Sequence, residues 1–155
     1  MKDLITLKGY NEITRLFKKL QEDKKHWVKE KQIAAEQGDR SENAEYQAAK
    51  ENIRIIDKQL FKLDRIINTS QAVDISKRTN NDIILFGSNV KLLKNEKEEV
   101  CYQIVGTNEL IYLQKIKEGC LCISNISPMG KELFRKEIGD TFELNDNEYK
   151  IISIF

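Results

Sequence analysis

Gly38-Asp39-Arg40-Ser41-Glu42-Asn43-Ala44-Glu45-Tyr46 is the stretch of this sequence that decides the fold. It lies between two long segments in which apolar residues recur with the period of an α-helix. Two helices joined by so short a connection run antiparallel. We therefore predict that residues 38–46 form the turn of a helical hairpin.

The segment after the turn has the pattern of a coiled coil. Its apolar residues are spaced alternately by three and four, at Tyr46, Ala49, Ile53, Ile56, Leu60, Leu63 and Ile67. This spacing is typical of a coiled-coil seam, the line of side chains that faces the partner helix. Continued backwards, it reaches Glu42 and Asp39, so two carboxylates occupy positions where a seam normally has apolar side chains.

The segment before the turn predicts the partner helix. No proline or glycine occurs between Tyr10 and Gln37. An apolar stripe runs through Ile13, Leu16, Phe17, Leu20, Trp27, Val28 and Ala34. Such a helix would be about 40 Å long. Near the turn the seam residues are alanines, which would let the two helices approach closely.

The carboxylates of Asp39 and Glu42 allow two interpretations. In the first they only stabilise helix ends. Gly38 would end the first helix, and Asp39 or Ser41 would cap the second, where acidic side chains suit the helix dipole. In the second they bind a metal, because two carboxylates three residues apart can be aimed at one point and hard oxygen ligands suit Mg²⁺. Two carboxylates alone would bind Mg²⁺ weakly, so further ligands would have to come from elsewhere.

The first helix is rich in lysine, at Lys18, Lys19, Lys24, Lys25, Lys29 and Lys31. A run of this kind is usually a solvated helix face. Lys25 and Lys29 share one face, so contact with nucleic-acid phosphates is the alternative.

After a predicted linker at residues 76–82, the apolar period changes to two. Strands are predicted at Ile83–Phe86, Val90–Leu93, Val100–Val105, Leu110–Leu113, Leu121–Ile126 and Tyr149–Ile154. One short helix is predicted at Met129–Lys136, opened by Ser127 and Pro128, because proline suits a first helical turn. The fold class is therefore α+β. A coiled-coil hairpin at residues 1–75 precedes a small antiparallel sheet domain at residues 83–155.

Composition excludes some functions. A net charge of +1 over 155 residues excludes binding of nucleic acid or membrane by bulk charge. No apolar run reaches membrane-spanning length, and the first residues lack a signal-peptide core, so we expect a cytoplasmic protein. Cys101, Cys120 and Cys122 are too few and wrongly spaced for a zinc site or a disulfide framework. We expect them to be small buried apolar side chains in a reducing compartment.

The motif at residues 38–46 resembles the tip of the bacterial Gre transcript-cleavage factors, GreA and GreB. The likeness covers essentially the whole chain. It includes, in family order, Leu7–Tyr10, Gln71–Asp74, Asn80-Asn81, Ile84–Ser88, Tyr102–Gly106, Ile123-Ser124, Ser127-Pro128 and Ile138–Asp140. The chain departs from the family where members often carry a proline before the tip and this sequence has His26-Trp27-Val28. Arg40-Ser41 is more like GreB and Asn80-Asn81 more like GreA, so the subtype stays open.

This resemblance implies an FKBP-like second domain and a role in transcription elongation. The domain would dock at the mouth of the secondary channel of bacterial RNA polymerase, with Ser127, Pro128 and Met129 on the docking surface. The hairpin would reach the active site, where Asp39 and Glu42 would hold Mg²⁺ jointly with the polymerase. The polymerase would then cleave its own backtracked transcript by two-metal hydrolysis.

The resemblance also implies roles for residues around the tip. Arg40, Ser41 and Asn43 would position it, and Tyr46 would support it. Lys25 and Lys29 would contact the nascent RNA, whose 3′ end lies in the elongation complex. The protein would be a monomer with no membrane partner, and it would stimulate the polymerase rather than be an enzyme itself.

Two other functions stay open. One is a Gre-like regulator that occupies the secondary channel and inhibits the polymerase without cleavage. The other is a coiled-coil interaction module whose tip is only a capped turn. Retention of both tip carboxylates argues against the first.

Overall fold

The structure is a computed structural model and describes residues 3–38, 43–78, 81–112 and 120–155. The elements in chain order are β1 (Asp3–Thr6), α1 (Leu7–Ala35), α2 (Ala44–Thr69), β2 (Ser70–Val73), β3 (Asn89–Lys94), β4 (Glu98–Val105), α3 (Thr107–Tyr112), β5 (Leu121–Ser124), α4 (Pro128–Leu133), β6 (Thr141–Leu144) and β7 (Asn147–Ile154). They form two compact units: Asn11–Thr69, here called the hairpin unit, and Met1–Tyr10 with Ser70–Phe155, called the β unit. The predicted α+β class is confirmed. Within the described residues, no helix is both long and apolar enough to cross a membrane.

The hairpin unit contains the two long helices that the apolar period predicts. Ala49, Ile56 and Leu63 of α2 are buried at intervals of seven residues, as a coiled-coil seam requires. At the end of α2 the buried residue is Ile66, whereas Ile67 is only half-buried. Contacts between the helices show that they are antiparallel. Lys24 Nζ lies 2.7 Å from Asp57 Oδ1, and Asn43 Nδ2 donates a hydrogen bond to the Ala34 carbonyl. A residue later in α1 therefore contacts a residue earlier in the second half of the hairpin, as antiparallel helices require.

The β unit is built on a sheet with the strand order β5-β4-β3-β7-β6 among the described residues. Its neighbours are antiparallel except β4 and β5, which are parallel, so the prediction of a wholly antiparallel sheet is wrong at this edge. β1 and β2 form a separate parallel pair. One face of the larger sheet carries the core, which contains Ile84, Phe86, Val90, Leu92, Ile104, Leu133, Tyr149, Ile151 and Ile154.

The predicted strands at Val90–Leu93, Val100–Val105 and Tyr149–Ile154 are confirmed within β3, β4 and β7, and Leu121–Ile126 in its first four residues. Two predictions are wrong. The described segment Ile83–Phe86 makes one isolated bridge, from Ile83 to Glu137, in place of a strand. Leu110 to Tyr112 belong to α3, so the described part of the unit has two short helices rather than one. The predicted likeness to the FKBP fold stays a prediction.

A buried glutamate explains why α3 is a helix. Glu109 is 4% exposed, and its Oε2 accepts hydrogen bonds from the backbone N–H groups of Thr6 at 3.0 Å and Gly106 at 2.8 Å. The Thr6 hydroxyl donates to Oε1, and the Gly9 N–H donates to Thr6 Oγ1 at 3.0 Å. A Cβ at Gly9 would clash with the Glu109 carboxylate, so a larger residue there would displace this side chain from its hydrogen bonds. This polar cluster joins β1, the first turn of α1 and α3, because a buried carboxylate needs several donors.

The seam makes the hairpin unit sensitive to charge at Ile56. Ile56→Asp places an unpaired carboxylate among apolar side chains, which we expect to destabilise the hairpin by several kcal/mol. Ile55→Asp is the matched control, because Ile55 is the preceding residue of α2 and is 43% exposed. Thermal unfolding followed by circular dichroism and by exchange of β-strand amides should show early helix loss in Ile56→Asp, with the sheet retained. Simultaneous loss of helix and sheet would show that the two units do not fold separately.

Candidate functional site at the hairpin turn

Asn43 connects the two helices at the turn. Its Oδ1 accepts a hydrogen bond from the Tyr46 N–H at 3.1 Å, and its carbonyl accepts one from the Gln47 N–H at 3.1 Å. These are the bonds of a helix N-cap, so Asn43 caps α2. Its Nδ2 donates to the Ala34 carbonyl at 2.6 Å, near the end of α1. We call these side-chain bonds to Ala34 and Tyr46 the Asn43 bridge.

The Asn43 bridge corrects one sequence interpretation. Asp39 or Ser41 was expected to cap the second helix, but α2 begins at Ala44 and Asn43 fills the cap. Asp39, Arg40, Ser41 and Glu42 themselves lie outside the described residues. Gly38 has a φ of +147°, which favours glycine, and it follows the last backbone bond of the α1 end, from the Gln37 N–H to the Ala34 carbonyl at 3.2 Å.

Small and aromatic side chains support the turn. Ala34 and Ala49 are 3% and 1% exposed, so the helices are close together here, as the alanines predicted. The Tyr46 ring is half-buried and receives the Lys31 ammonium group 5.7 Å from its centroid. This distance is within the range of a cation–π interaction. Tyr46 therefore ties α2 to α1 in addition to the Asn43 bridge.

The lysines of α1 differ in their surroundings. Lys24 pairs with Asp57. Lys25 Nζ lies 3.3 Å from Glu22 Oε1, and the side chains of Lys25 and Glu22 are both well exposed. Lys29 is exposed, and the described part of the chain contains no carboxylate paired with it. Of the two lysines predicted to contact RNA, Lys29 therefore offers its charge more fully than Lys25.

Ser127, Pro128 and Met129 open α4 as predicted. Ser127 Oγ accepts from the Gly130 N–H at 3.1 Å and donates to the Ser124 carbonyl at 2.6 Å, and Pro128 occupies the first turn. Met129 packs against the core of the β unit. A Cβ at Gly130 would lie 2.2 Å from the Ser124 carbonyl oxygen. The start of α4 is therefore fixed directly to the end of β5.

Large apolar side chains surround this helix at the surface. Ile126, Phe134 and Ile138 are 63%, 51% and 56% exposed, respectively. The Arg135 guanidinium lies 5.4 Å from the centroid of the Phe134 ring. Exposed apolar groups beside a basic residue are common at sites that bind another protein.

The cysteines differ from the sequence expectation. Cys101 of β4 and Cys120, next to β5, form a disulfide with a Cα–Cα distance of 4.5 Å, so the prediction of unlinked thiols is wrong for them. The parallel pairing of β5 with β4 places these two residues side by side, which sequence spacing alone does not reveal. Cys122 keeps its thiol, which donates to Gln103 Oε1 at 3.9 Å. Burial, and next the charge of Glu109, raise the pKa of this thiol.

Potential metal ligands are dispersed in the described residues. Within them no group of three or more histidine, cysteine, aspartate or glutamate side chains is arranged to hold a metal ion. The two carboxylates predicted to bind Mg²⁺ lie in the part of the turn outside the description.

The chain thus consists of a helical hairpin, whose helices are connected at the turn by the Asn43 bridge, and a β unit. Comparison with known sequences identifies the class of protein that has this organisation. The sequence model described as "Transcription elongation factor, N-terminal", of the GreA/GreB group, matches residues 3–71, and that described as "Transcription elongation factor, GreA/GreB, C-term" matches residues 79–155. The chain belongs to the GreA/GreB family of transcription elongation factors.

The chain is similar to individual curated proteins and to a solved structure. The transcription elongation factor GreA of Nitratiruptor sp. is 40% identical over 140 residues, which cover 90% of this chain and 82% of the relative. GreA of Helicobacter pylori is 34% identical over 160 aligned positions, covering 99% of this chain and 93% of the relative. The crystal structure of GreA factor homolog 1 of Thermus thermophilus is 22% identical, covers 100% of this chain and 99% of its own, and gives a TM-score of 0.45.

The Asn43 bridge predicts different effects for two substitutions. Asn43→Asp keeps an oxygen for the Tyr46 N–H but replaces the donor to Ala34 by a second oxygen, whereas Asn43→Ala removes both bonds. We expect Asn43→Ala to destabilise the hairpin by about 1–2 kcal/mol, because an N-cap and a second hydrogen bond are lost. Amide exchange by NMR should show faster exchange at Tyr46 in Asn43→Ala than in Asn43→Asp. Equal protection of this amide in the wild type and Asn43→Ala would contradict the bridge.

Proposed function

We propose that this chain is a transcript-cleavage factor of the cytoplasm that acts as a monomer on bacterial RNA polymerase. The hairpin turn enters the secondary channel and approaches the 3′ end of the backtracked nascent RNA. The polymerase then cleaves its own transcript, and the chain contributes side chains to a reaction that it does not catalyse alone. Family membership supports this proposal, and the Asn43 bridge is the structural observation that carries it.

The bridge matters because it meets the backbone requirements of the turn. The Asn43 side chain satisfies the Tyr46 amide in the first turn of α2 and a carbonyl of α1, so Asp39 and Ser41 are not needed as caps of α2. Two acidic residues in a turn that is already capped are better explained by a role outside the chain. The bridge and the Tyr46–Lys31 contact would hold the flanking helix ends, and with them the positions from which Asp39 and Glu42 extend.

Asp39 and Glu42 have the chemistry expected of Mg²⁺ ligands. Mg²⁺ takes hard oxygen donors in an octahedral arrangement, usually one or two carboxylates together with phosphate and water. Asp39 and Glu42 would supply the carboxylates, and the polymerase and the RNA would supply the rest. When bound, the ion stabilises negative charge on phosphate oxygens and lowers the pKa of a bound water. The carboxylates would also accept a hydrogen bond from an O–H group of the attacking water and so orient this water.

The test of this proposal is a cleavage assay on stalled elongation complexes. Asp39→Asn keeps the size of the side chain but removes its charge, so stimulated cleavage should fall by at least about a hundredfold at low Mg²⁺, while binding to polymerase persists. Glu42→Gln should behave in the same way. High Mg²⁺ should restore part of the activity, because the lost carboxylate weakens the shared site.

Glu45→Gln is the matched control, because Glu45 is an exposed acidic residue in the first turn of α2. It should leave cleavage unchanged. Full stimulation by Asp39→Asn at low Mg²⁺ would refute the carboxylate role. A wild-type protein that binds polymerase and slows it without cleavage would instead identify the inhibitory regulator.

We further propose that Lys29, with Lys25 as a weaker neighbour, contacts phosphates of the nascent RNA. Each phosphate contact releases counterions, so loss of one contact should reduce the dependence of activity on salt. Lys29→Gln should weaken cleavage of transcripts with long extruded 3′ ends more than Lys25→Gln, whose charge is already paired with Glu22. Lys97→Gln serves as the control, because it also removes one positive charge but lies in the exposed turn between β3 and β4, outside the hairpin unit. Equal effects of all three variants across RNA lengths would contradict a phosphate contact.

We also propose that the start of α4 and the apolar residues beside it dock on the polymerase. Ile126→Ser should weaken binding about tenfold, because it removes an exposed apolar side chain from this surface. Ile111→Ser is the matched control, since Ile111 of α3 is 60% exposed. Ser127→Asp keeps an acceptor for the Gly130 N–H while adding charge, so it should weaken binding without unfolding α4. Competition with labelled wild-type protein for polymerase measures all three, and unchanged binding by Ile126→Ser and Ser127→Asp would place docking elsewhere.

A further inference from the structure

The disulfide between Cys101 and Cys120 contributes no side chain to the proposed cleavage reaction or to the proposed docking surface. It lies where β5, a strand of four residues, pairs with β4 alone among the residues that the structure describes, at the edge of the sheet. An edge strand this short depends on few backbone hydrogen bonds, and a covalent link at its start adds a constraint that does not depend on them.

The position of each sulfur fits an exchange reaction. Cys101 is partly exposed, whereas Cys120 is 5% exposed. Lys91 lies directly opposite Cys101 on β3 and so projects from the same face of the sheet, where its Nζ also contacts Glu99 Oε2 at 3.2 Å. The thiolate is the form of a cysteine that takes part in exchange. Because Cys101 is partly exposed, reagents in solution can reach it, and Cys120 lies beside it to complete the bond.

Cys122 is close in sequence but is a poor participant. Burial and the charge of Glu109 raise the pKa of its thiol, and its Sγ is held by Gln103. Little thiolate forms at neutral pH under these conditions. The surroundings thus favour one pairing out of the three that three cysteines allow.

We infer that Cys101 and Cys120 form a reversible redox site that responds to a low-molecular-weight thiol–disulfide couple such as glutathione. In oxidation, the Cys101 thiolate attacks one sulfur of the small disulfide and releases one thiol. The Cys120 thiolate then attacks the Cys101 sulfur of this mixed disulfide and releases the second thiol. The protein loses two protons and two electrons, and the small disulfide is reduced to two thiols. Reduction follows the same steps in reverse.

The consequence of the bond lies in the strand that leads to α4. The end of β5 is joined to the rest of the unit by the Asn125 N–H, which donates to the Val105 carbonyl at 2.8 Å. Ser124 in turn accepts from both the N–H and the hydroxyl of Ser127. When the disulfide is reduced, β5 opens more often, and the cap of α4 loses its support more often. Disulfides that form inside cells are usually transient and redox-sensing, which agrees with this role.

The test equilibrates the full chain in buffers with different ratios of reduced and oxidised glutathione. Acid quenching, alkylation and peptide mass spectrometry then identify the state of each cysteine. We expect one cooperative transition that links Cys101 to Cys120, with Cys122 alkylated throughout. Amides of β5 should exchange more slowly in the oxidised form, and its melting temperature should be roughly 5–10 °C higher.

Matched variants separate this bond from other effects of oxidation. In Cys101→Ser and in Cys120→Ser the difference between oxidising and reducing buffer should vanish, whatever the stability of the variant itself. In Cys122→Ser it should persist unchanged. The inference is overturned if the chain stays reduced in the most oxidising buffer, if Cys122 takes part in the bond, or if β5 exchanges equally fast in both forms.

Discussion

A hairpin of two helices has only one line of contact, and the hairpin unit depends on that constraint. Each helix can bury a single narrow stripe, so the few residues on the seam determine whether the helices associate. The large side chains of Ile56 and Leu63 fill the seam along the hairpin. Near the turn the buried seam residues are Ala34 and Ala49, whose small side chains let the two helices approach closely. That closeness is what brings the Asn43 amide to within 2.6 Å of the Ala34 carbonyl. A larger side chain at position 34 or 49 would separate the helices and break the Asn43 bridge. The structure of the turn therefore depends on the packing of the seam.

The turn separates structural from chemical requirements. Backbone groups at a helix end need partners, and acidic residues are among the commonest side chains to supply them. Here an uncharged asparagine supplies them on both helices, and an aromatic ring beside a lysine adds a second link. In the proposed function, the carboxylates of Asp39 and Glu42 are then not required as caps of α2 and can take part in binding a metal.

The sequence predicts those features that depend on local period and fails where pairing is remote. The helices α1 and α2, and the strands β3, β4 and β7, follow from apolar spacing, because their periods persist over six or more residues. Leu110 and Ile111 belong to a short apolar run that suggested a strand, yet they are helical. Glu109 of the same helix accepts hydrogen bonds from the N–H groups of Thr6 and Gly106, which local spacing does not reveal. β1 and β2 are four-residue strands more than sixty positions apart, so no local pattern announces their pairing. At the turn, Asp39, Ser41 and Asn43 are all good N-caps, and only the observed start of α2 at Ala44 distinguishes among them.

The polar cluster at Glu109 also affects chemistry beyond its own hydrogen bonds. Its carboxylate holds β1, the start of α1 and α3 together, and its negative charge reaches the Cys122 thiol across the sheet edge. Burial first, and next the negative charge of Glu109, oppose loss of the proton from the half-buried thiol and so raise the pKa of Cys122. Cys101, on the neighbouring strand, lies opposite Lys91, whose Nζ is paired with Glu99 Oε2. The same buried glutamate that organises the fold of the β unit therefore also disfavours the thiolate of Cys122, the cysteine that lies outside the disulfide.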